Sequence, residues 1–300
     1  MTTRTLLAAA LATTTLLAGT APANAQNGQW AERGTRAASP ADETIAYGTD
    51  PLQSLDIWRA KGADGNAPLI LFVHGGGWKR GDKSNATGRL KEAHYPEQGY
   101  AFASTNYRLV PQATVEQQAQ DVALALKTLI DRADRLGIDR SRIVLMGHSA
   151  GAHLVALVGT DERYLKAAGL SFADIAGVIS IDGAAYDVSG QIAQAGRFMR
   201  KTYLQAFGNE PARQHFLSPT HQATAPNAPR FLIPHVERPD AVAQSQELAD
   251  ALRRAGTAVQ VESFPGTGLR GHMEINRRLG DPDYAATAVV DDWLKQVFGR

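Results

Sequence analysis

A serine set between two glycines is the feature that most constrains how this chain can fold. It lies in Met146-Gly147-His148-Ser149-Ala150-Gly151, directly after the apolar run Ile143-Val144-Leu145-Met146. The segment from Ala150 to about Thr160 predicts a helix. A serine at a sharp turn between strand and helix needs small residues two positions away, because larger side chains would collide with one element or the other. A strand, a tight turn and a helix are therefore predicted; the alternative is a surface turn with a capping serine.

Apolar runs alternate with amphipathic segments along the rest of the chain. Strands are predicted at 43–47, 52–58, 69–73, 100–104, 143–146, 175–181, 231–233 and 259–264, and helices at 115–136, 150–160, 242–254 and 284–297. The run at 69–73 is apolar throughout, which is typical of a parallel strand covered on both faces. This alternation predicts an α/β fold with a mostly parallel central sheet and helices on both faces. The first two strands, with no long helix between them, are expected to form an antiparallel edge.

The chain is predicted to contain one domain, residues 43–300, preceded by two other segments. Residues 26–42 are polar and rich in small side chains, so a flexible lead-in is expected there. Residues 184–227 fit no simple strand–helix unit. They are predicted to form a short cap-like insertion over the carboxyl edge of the sheet.

The first 25 residues have the layout of a secretory signal peptide. Arg4 is followed by an apolar run at 6–17 and then by the small-residue end Ala23-Asn24-Ala25. The apolar run is too short for a comfortable membrane span. Cleavage before Gln26 and a periplasmic or secreted protein, with no membrane anchor, are therefore expected.

Composition excludes several classes of function. The chain has no cysteine, so neither disulfides nor thiol chemistry contribute. The formal net charge is +1 and no basic block is present, so neither nucleic acid nor an anionic membrane surface is an expected partner. A metal site built from His74, His148 and His153 has no ligand spacing to support it. The predicted partner is a small-molecule substrate, with no metal and no cofactor.

Polar and glycine residues that can do chemistry follow four of the predicted strands. They are His74 with Gly75-Gly76-Gly77, then Ser149, Asp240 and His272. In open α/β sheets, catalytic groups gather beyond the carboxyl ends of the strands. The order of glycine loop, serine, acid and histidine is the one expected for a serine nucleophile on such a sheet.

A serine hydroxyl needs a base to take its proton, and histidine suits this task near neutral pH. Of the eight histidines, only His272 lies after the last predicted strand. It is expected in a flexible loop, Gly266-Thr267-Gly268-Leu269-Arg270-Gly271-His272. Ser149 and His272 are therefore the predicted nucleophile and base.

A carboxylate is expected behind the histidine, because it would fix the tautomer and stabilise the imidazolium. Asp240 is the preferred candidate, since it lies between a predicted strand and a predicted helix. It could instead cap that helix, as aspartate often does. Glu237 on the same loop and Asp182 at the end of the preceding strand remain alternatives.

The glycine loop is the predicted oxyanion hole. Gly75 and Gly76 would let backbone amides approach a substrate oxygen with no Cβ in the way. The amide of Ala150 would contribute from the start of the helix after the serine, where the helix dipole favours negative charge.

These residues resemble a known family. His74-Gly75-Gly76-Gly77-Trp78 with Arg80-Gly81-Asp82-Lys83, and Gly147-His148-Ser149-Ala150-Gly151-Ala152-His153-Leu154, are similar to the α/β-hydrolase esterase/lipase superfamily, in its HGGxW branch of feruloyl-esterase-like and kynurenine-formamidase-like enzymes. The resemblance implies an α/β-hydrolase fold, with Ser149 as nucleophile, His272 as base and Gly75, Gly76 and Ala150 as oxyanion donors. It covers roughly Leu52 to the C-terminus, and the sequence before Asp240 departs from the family pattern.

The expected activity is cofactor-independent hydrolysis of carboxylic esters through an acyl-enzyme intermediate. An amidase or arylformamidase with the same triad is the first alternative. A catalytically inactive hydrolase fold that serves as a binding protein is the second. The predicted export favours an ester encountered outside the cytoplasm.

Overall fold

The computed structural model describes Met1 and residues 39–62 and 65–300. The predicted signal peptide therefore lies outside the described residues apart from Met1, and so does the predicted lead-in apart from residues 39–42. In the part of the chain that is described, no helix combines the length and apolarity needed to cross a membrane.

An eight-stranded sheet forms the centre of the fold. Its strands are β1 (Glu43–Ala46), β2 (Ser54–Trp58), β3 (Ala67–Val73), β4 (Ala101–Thr105), β5 (Ile138–His148), β6 (Gly177–Ile181), β7 (Arg230–Val236) and β8 (Ala258–Phe264). They lie in the order β1-β2-β4-β3-β5-β6-β7-β8. β2 pairs antiparallel with β1 and β4, and the remaining pairs are parallel. The prediction of a mostly parallel sheet with an antiparallel edge is confirmed.

Helices and one short 3₁₀ segment connect these strands. The helices are α1 (Lys91–Glu97), α2 (Val115–Asp131), α3 (Ala133–Leu136), α4 (Ala150–Thr160), α5 (Glu162–Ala167), α6 (Val188–Gln194), α7 (Arg197–Phe207), α8 (Pro211–Phe216), α9 (Pro219–Gln222), α10 (Pro239–Arg254), α11 (Gly268–Arg278) and α12 (Ala285–Phe298). The 3₁₀ segment is Phe172–Asp174. The sequence pattern predicts neither α1 nor α5 nor α11.

The central strand β3 explains why the sheet is covered on both faces. Successive side chains on a strand point to opposite faces. Leu69, Leu71 and Val73 accordingly pack into one apolar cluster, with α2 and α4. Ile70 and Phe72 pack into the other, with α12. All five side chains are inaccessible to solvent, and burying each one contributes about 1.5–3 kcal/mol.

The predicted cap-like insertion contains α6 to α9 and packs against the loop that follows β3. The ring of Trp78 in this loop lies 4.7 Å from that of Phe207 and 5.8 Å from that of Tyr203, both on α7. The Lys79 ammonium donates to the Thr202 hydroxyl on the same helix at 3.2 Å. Because the loop starts at the carboxyl end of β3, the insertion covers that edge of the sheet.

Candidate active site

Ser149 occupies the turn between β5 and α4 in a backbone conformation that side chains rarely adopt. Its φ and ψ angles are 58° and −118°. A Cβ on Gly147 would lie 2.3 Å from the Gly151 carbonyl oxygen, and a Cβ on Gly151 would lie 2.1 Å from that of Val73. Both glycines are required because the turn presses strand, helix and β3 together. The predicted strand, turn and helix are all present.

His272 lies within hydrogen-bond distance of the serine. Its Nε2 atom is 2.9 Å from Ser149 Oγ. The prediction of a flexible loop around His272 is wrong, because the residue lies in α11, which begins at Gly268. Glycine has a poor helix propensity. Because three glycines lie between 266 and 271, the sequence pattern does not indicate a helix here. Tertiary contacts stabilise it instead.

Lys91 supplies the most extensive of those contacts. Its buried ammonium donates to the Thr87 carbonyl and to the Asn276 side-chain oxygen, each at 2.9 Å, and also to the Asn276 carbonyl. Asn276 is one helical turn beyond His272. The three donors of the ammonium thus fix the helix that carries the histidine against the segment before α1.

The carboxylate that contacts His272 is Asp182, not Asp240. His272 Nδ1 donates to Asp182 Oδ2 at 2.5 Å, and the aspartate is inaccessible to solvent. Asp182 directly follows β6, and its other oxygen accepts the Val236 amide at 3.1 Å. Since Nδ1 carries a proton, Nε2 of a neutral His272 is free to accept the serine proton.

Asp240 does not reach the histidine because of where β7 ends. β7 continues to Val236, and α10 begins at Pro239, so Asp240 lies in the first turn of that helix. Its carboxylate accepts from Arg238 Nη1 at 3.2 Å. Arg238, not Asp240, is the residue that precedes the helix, and Glu237 is exposed.

Arg238 also contacts Asp182. Its Nε lies 3.2 Å from the same oxygen that His272 contacts. Burial alone would raise the pKa of Asp182, but the hydrogen bond from His272, the charge of Arg238 and the Val236 amide together hold that pKa below its usual value. The aspartate is therefore ionised at neutral pH.

The glycine loop after β3 lies against the serine. A Cβ on Gly75 would be 3.0 Å from Ser149 Cβ and 2.9 Å from the His148 carbonyl oxygen. Gly76 has a φ of 137°, and a Cβ there would meet the Arg80 carbonyl oxygen at 1.9 Å. Ala150 begins α4, and the first amides of a helix have no intrahelical acceptor. Gly75, Gly76 and Ala150 thus remain the candidate oxyanion donors.

His148 has a contact with the main chain of His272 that the sequence pattern does not predict. Its Nε2 lies 2.9 Å from the His272 carbonyl oxygen, and the two imidazole rings are 4.6 Å apart. Because a carbonyl oxygen only accepts, Nε2 carries the proton. Burial, reinforced by His272, holds the pKa of His148 well below its usual value, so the ring is neutral. A histidine at the variable position of the turn is the only signal in the sequence.

The other two histidines near the site are engaged in packing. His74 Nδ1 is 2.8 Å from the Gly75 carbonyl oxygen, and its ring stacks on Tyr107. His153 Nε2 donates to the Leu217 carbonyl at 2.8 Å, while its Nδ1 accepts from Trp78. Burial lowers the pKa of each to about 4. Within 39–62 and 65–300, no three His, Asp or Glu side chains are grouped so that they could hold a metal ion.

Comparison with known proteins gives one family match and several relatives. A family model described as BD-FAE matches residues 55–252. Esterase LipC from Mycobacterium tuberculosis is 30% identical over 254 residues, which are 80% of this chain and 62% of that protein. Kynurenine formamidase from Danio rerio is 25% identical over 261 residues, 82% of this chain and 79% of that protein. This chain therefore spans less than two thirds of the length of LipC.

A solved structure shows the same fold. Esterase B from Lactobacillus Rhamnosis (HN001) superposes with a TM-score of 0.72, covering 92% of this chain and 91% of that one. The two sequences are 22% identical, so the likeness concerns the fold.

Proposed function

This chain belongs to the BD-FAE family of α/β-hydrolases, and from that premise we propose that it hydrolyses carboxylic esters with Ser149 as nucleophile. The observation that carries the proposal is the continuous contact from Ser149 Oγ to His272 Nε2, at 2.9 Å, and from His272 Nδ1 to Asp182, at 2.5 Å. The esterase LipC, 30% identical, supports ester hydrolysis in particular.

In the proposed reaction, His272 takes the hydroxyl proton as Ser149 Oγ attacks the ester carbonyl carbon. Asp182 stabilises the resulting imidazolium. The amides of Gly75, Gly76 and Ala150 bind the oxyanion, and losing one such donor costs about 3–4 kcal/mol. His272 then gives its proton to the departing alcohol. Water repeats the sequence on the acyl-enzyme, releasing the acid and restoring the serine.

A fluorophosphonate probe and an aryl acetate assay test the nucleophile. Wild type should be labelled and should hydrolyse the ester, whereas Ser149→Ala should lose both properties. Ser141→Ala is the matched control, because Ser141 is exposed at the other end of β5. Undiminished labelling of Ser149→Ala would contradict the assignment. A wild type that neither labels nor hydrolyses any ester would favour the inactive binding protein.

Amide hydrolysis with the same triad is the second candidate function. It is favoured by the similarity to kynurenine formamidase, which extends over 82% of this chain. We expect kcat/KM to be higher for a short-chain aryl ester than for N-formylkynurenine. The reverse order in parallel assays would make the formamidase reading the better one.

We further propose that the protein is exported and acts on esters outside the cytoplasm, such as plant-derived or xenobiotic esters. The charged, apolar and small-residue segments of positions 1–25 support this. N-terminal sequencing of protein recovered from outside the cytoplasm should begin at Gln26. Recovery of the protein only from the cytoplasm, with Met1 or Thr2 at its N-terminus, would contradict export.

A further inference from the structure

Arg238 bridges the carboxylate of the proposed triad and a second carboxylate outside it. Its Nε lies 3.2 Å from Asp182 Oδ2, and its Nη1 lies 3.2 Å from Asp240 Oδ2. Asp182 is inaccessible to solvent, the arginine side chain is 15% exposed and Asp240 is 36% exposed. The charges therefore run −, +, − from the buried triad outward to the surface.

Apart from these two aspartates, little compensates the positive charge of the Arg238 guanidinium. Its Nη2 is buried and has no hydrogen-bond partner among the residues that the structure describes. A desolvated charge acts over a longer range than one in water. Arg238 consequently exerts its field mainly on the two aspartates and on what they contact.

One of those contacts is His272. Arg238 Nε and His272 Nδ1 approach the same oxygen of Asp182, at 3.2 Å and 2.5 Å. The arginine competes for the lone pairs that would stabilise an imidazolium, and its charge repels that imidazolium. Asp240 partly neutralises the arginine and so opposes both effects.

We infer that Arg238 and Asp240 form a charge pair that sets the pH range in which His272 acts as a base. Arg238 extends activity to lower pH by disfavouring the imidazolium, and Asp240 limits that extension. Both are positioning residues, since neither touches the reacting atoms. The inference rests on the proposed function and concerns the base of that same site.

Other titratable groups act around the same residues and are common to all the variants below. They are His148 at the end of β5, Lys91 on α1, Tyr186 after β6, Tyr203 on α7 and Tyr284 before α12. Because none of them is altered, differences between variants report the charge pair.

The test is the acid limb of kcat/KM against pH for wild type, Arg238→Gln, Asp240→Asn and the double variant. Arg238→Gln should move the half-maximal point up by about half a pH unit, and Asp240→Asn should move it down by a similar amount. The double variant removes one charge of each sign, so its profile should return toward wild type. Glu237→Gln, which removes a charge from the same loop at an exposed position, should leave the profile unchanged.

Opposite shifts separate this inference from a merely structural role, which would lower kcat without moving the profile. Arg238→Lys keeps the positive charge and should keep a profile closer to wild type than Arg238→Gln does. Shifts in the same direction for the two single variants, or profiles identical to wild type, would overturn the inference.

A measurement that does not depend on turnover distinguishes failure of the charge-pair inference from failure of the proposed function. The pH midpoint of the His272 ring ¹⁵N signals can be followed by NMR in the Ser149→Ala background for the same substitutions. The midpoints should follow the order Asp240→Asn, unsubstituted, Arg238→Gln from low to high pH. This order can be found even if wild type hydrolyses no ester, and its absence in an active enzyme would overturn the charge pair alone.

Discussion

At the scale of single residues, the carboxylate behind His272 gives the sharpest prediction. Asp182→Asn should lower kcat by about 10³- to 10⁴-fold, because an amide would favour the wrong tautomer of the histidine. Asp240→Asn, at the same pH, should lose far less, since Asp240 contacts Arg238 and not the histidine. Steady-state kinetics on one aryl ester decide between them. A larger loss for Asp240→Asn than for Asp182→Asn would contradict the assignment of Asp182 as the acid.

His148 should matter through its hydrogen bond to the His272 carbonyl. His148→Leu removes the donor, and we expect kcat to fall about tenfold, the equivalent of one hydrogen bond. His148→Gln retains an N–H donor and should recover most of that loss. If the glutamine variant were as slow as the leucine variant, ring packing rather than the hydrogen bond would be responsible.

Residues that a sterically crowded local turn requires could be predicted from the sequence. Contacts between residues from separate parts of the chain could not. Gly147, Ser149 and Gly151 follow from the crowding of one local turn. Which carboxylate contacts His272 depends on which of two neighbouring strands, β6 or β7, ends close to it. Predicting the contact therefore requires the position at which β7 ends. The sequence does indicate Asp182 as an alternative, because it directly follows an apolar strand.

At the scale of elements, Gly151 controls how closely α4 approaches the sheet. A Cβ at this position would lie 2.1 Å from the backbone oxygen of Val73, which no side-chain rotation can relieve. Gly151→Ala should therefore destabilise the protein by at least about 3 kcal/mol. Urea denaturation measures this loss. Gly196→Ala is the control, since a Cβ there would meet nothing within 4 Å. Similar urea midpoints for the two variants would contradict the prediction.

Elements with a clear period were predictable, and those stabilised by distant contacts were not. The apolar strands and the long amphipathic helices have their pattern in their own residues. α11 depends instead on the hydrogen bonds between Lys91 and Asn276, which are 185 positions apart. β5 begins at Ile138, earlier than predicted, because Asp139 to Arg142 are polar and partly exposed yet remain in the strand.

At the scale of the whole molecule, three buried histidines, His74, His148 and His153, should make the fold sensitive to acid, because burial lowers the pKa of each. His74 and His153 have a pKa of about 4 in the folded protein, against 6.5 for an exposed histidine. Between these values the unfolded chain binds more protons than the folded one, so the free energy of unfolding falls as pH falls. By pH 4 each histidine should cost about 3 kcal/mol.

Urea denaturation at pH 7, 6, 5 and 4 measures this dependence. His153→Gln can keep a neutral N–H donor toward the Leu217 carbonyl, and it should remove the part of the pH dependence that His153 contributes, about 3 kcal/mol by pH 4. His221→Gln, at an exposed histidine, should leave it unchanged. A stability that stays constant from pH 7 to pH 4 would show that the buried imidazole rings do not govern acid unfolding.

The backbone conformation of Ser149 lowers the stability of the fold at the residue that the proposed activity requires. A non-glycine residue at a φ of 58° and ψ of −118° holds strain of about 1–3 kcal/mol. Glycine at this position would relieve the strain but would also raise the entropy of the unfolded chain. The net effect of Ser149→Gly should be a free energy of unfolding higher by about 1 kcal/mol, and hence a higher melting temperature than that of wild type. Ser149→Ala, which keeps a Cβ, should not gain this stability. Selection for thermostability alone would thus favour glycine at position 149. If the proposed hydrolysis were no longer under selection, more stable and inactive variants would be expected to accumulate.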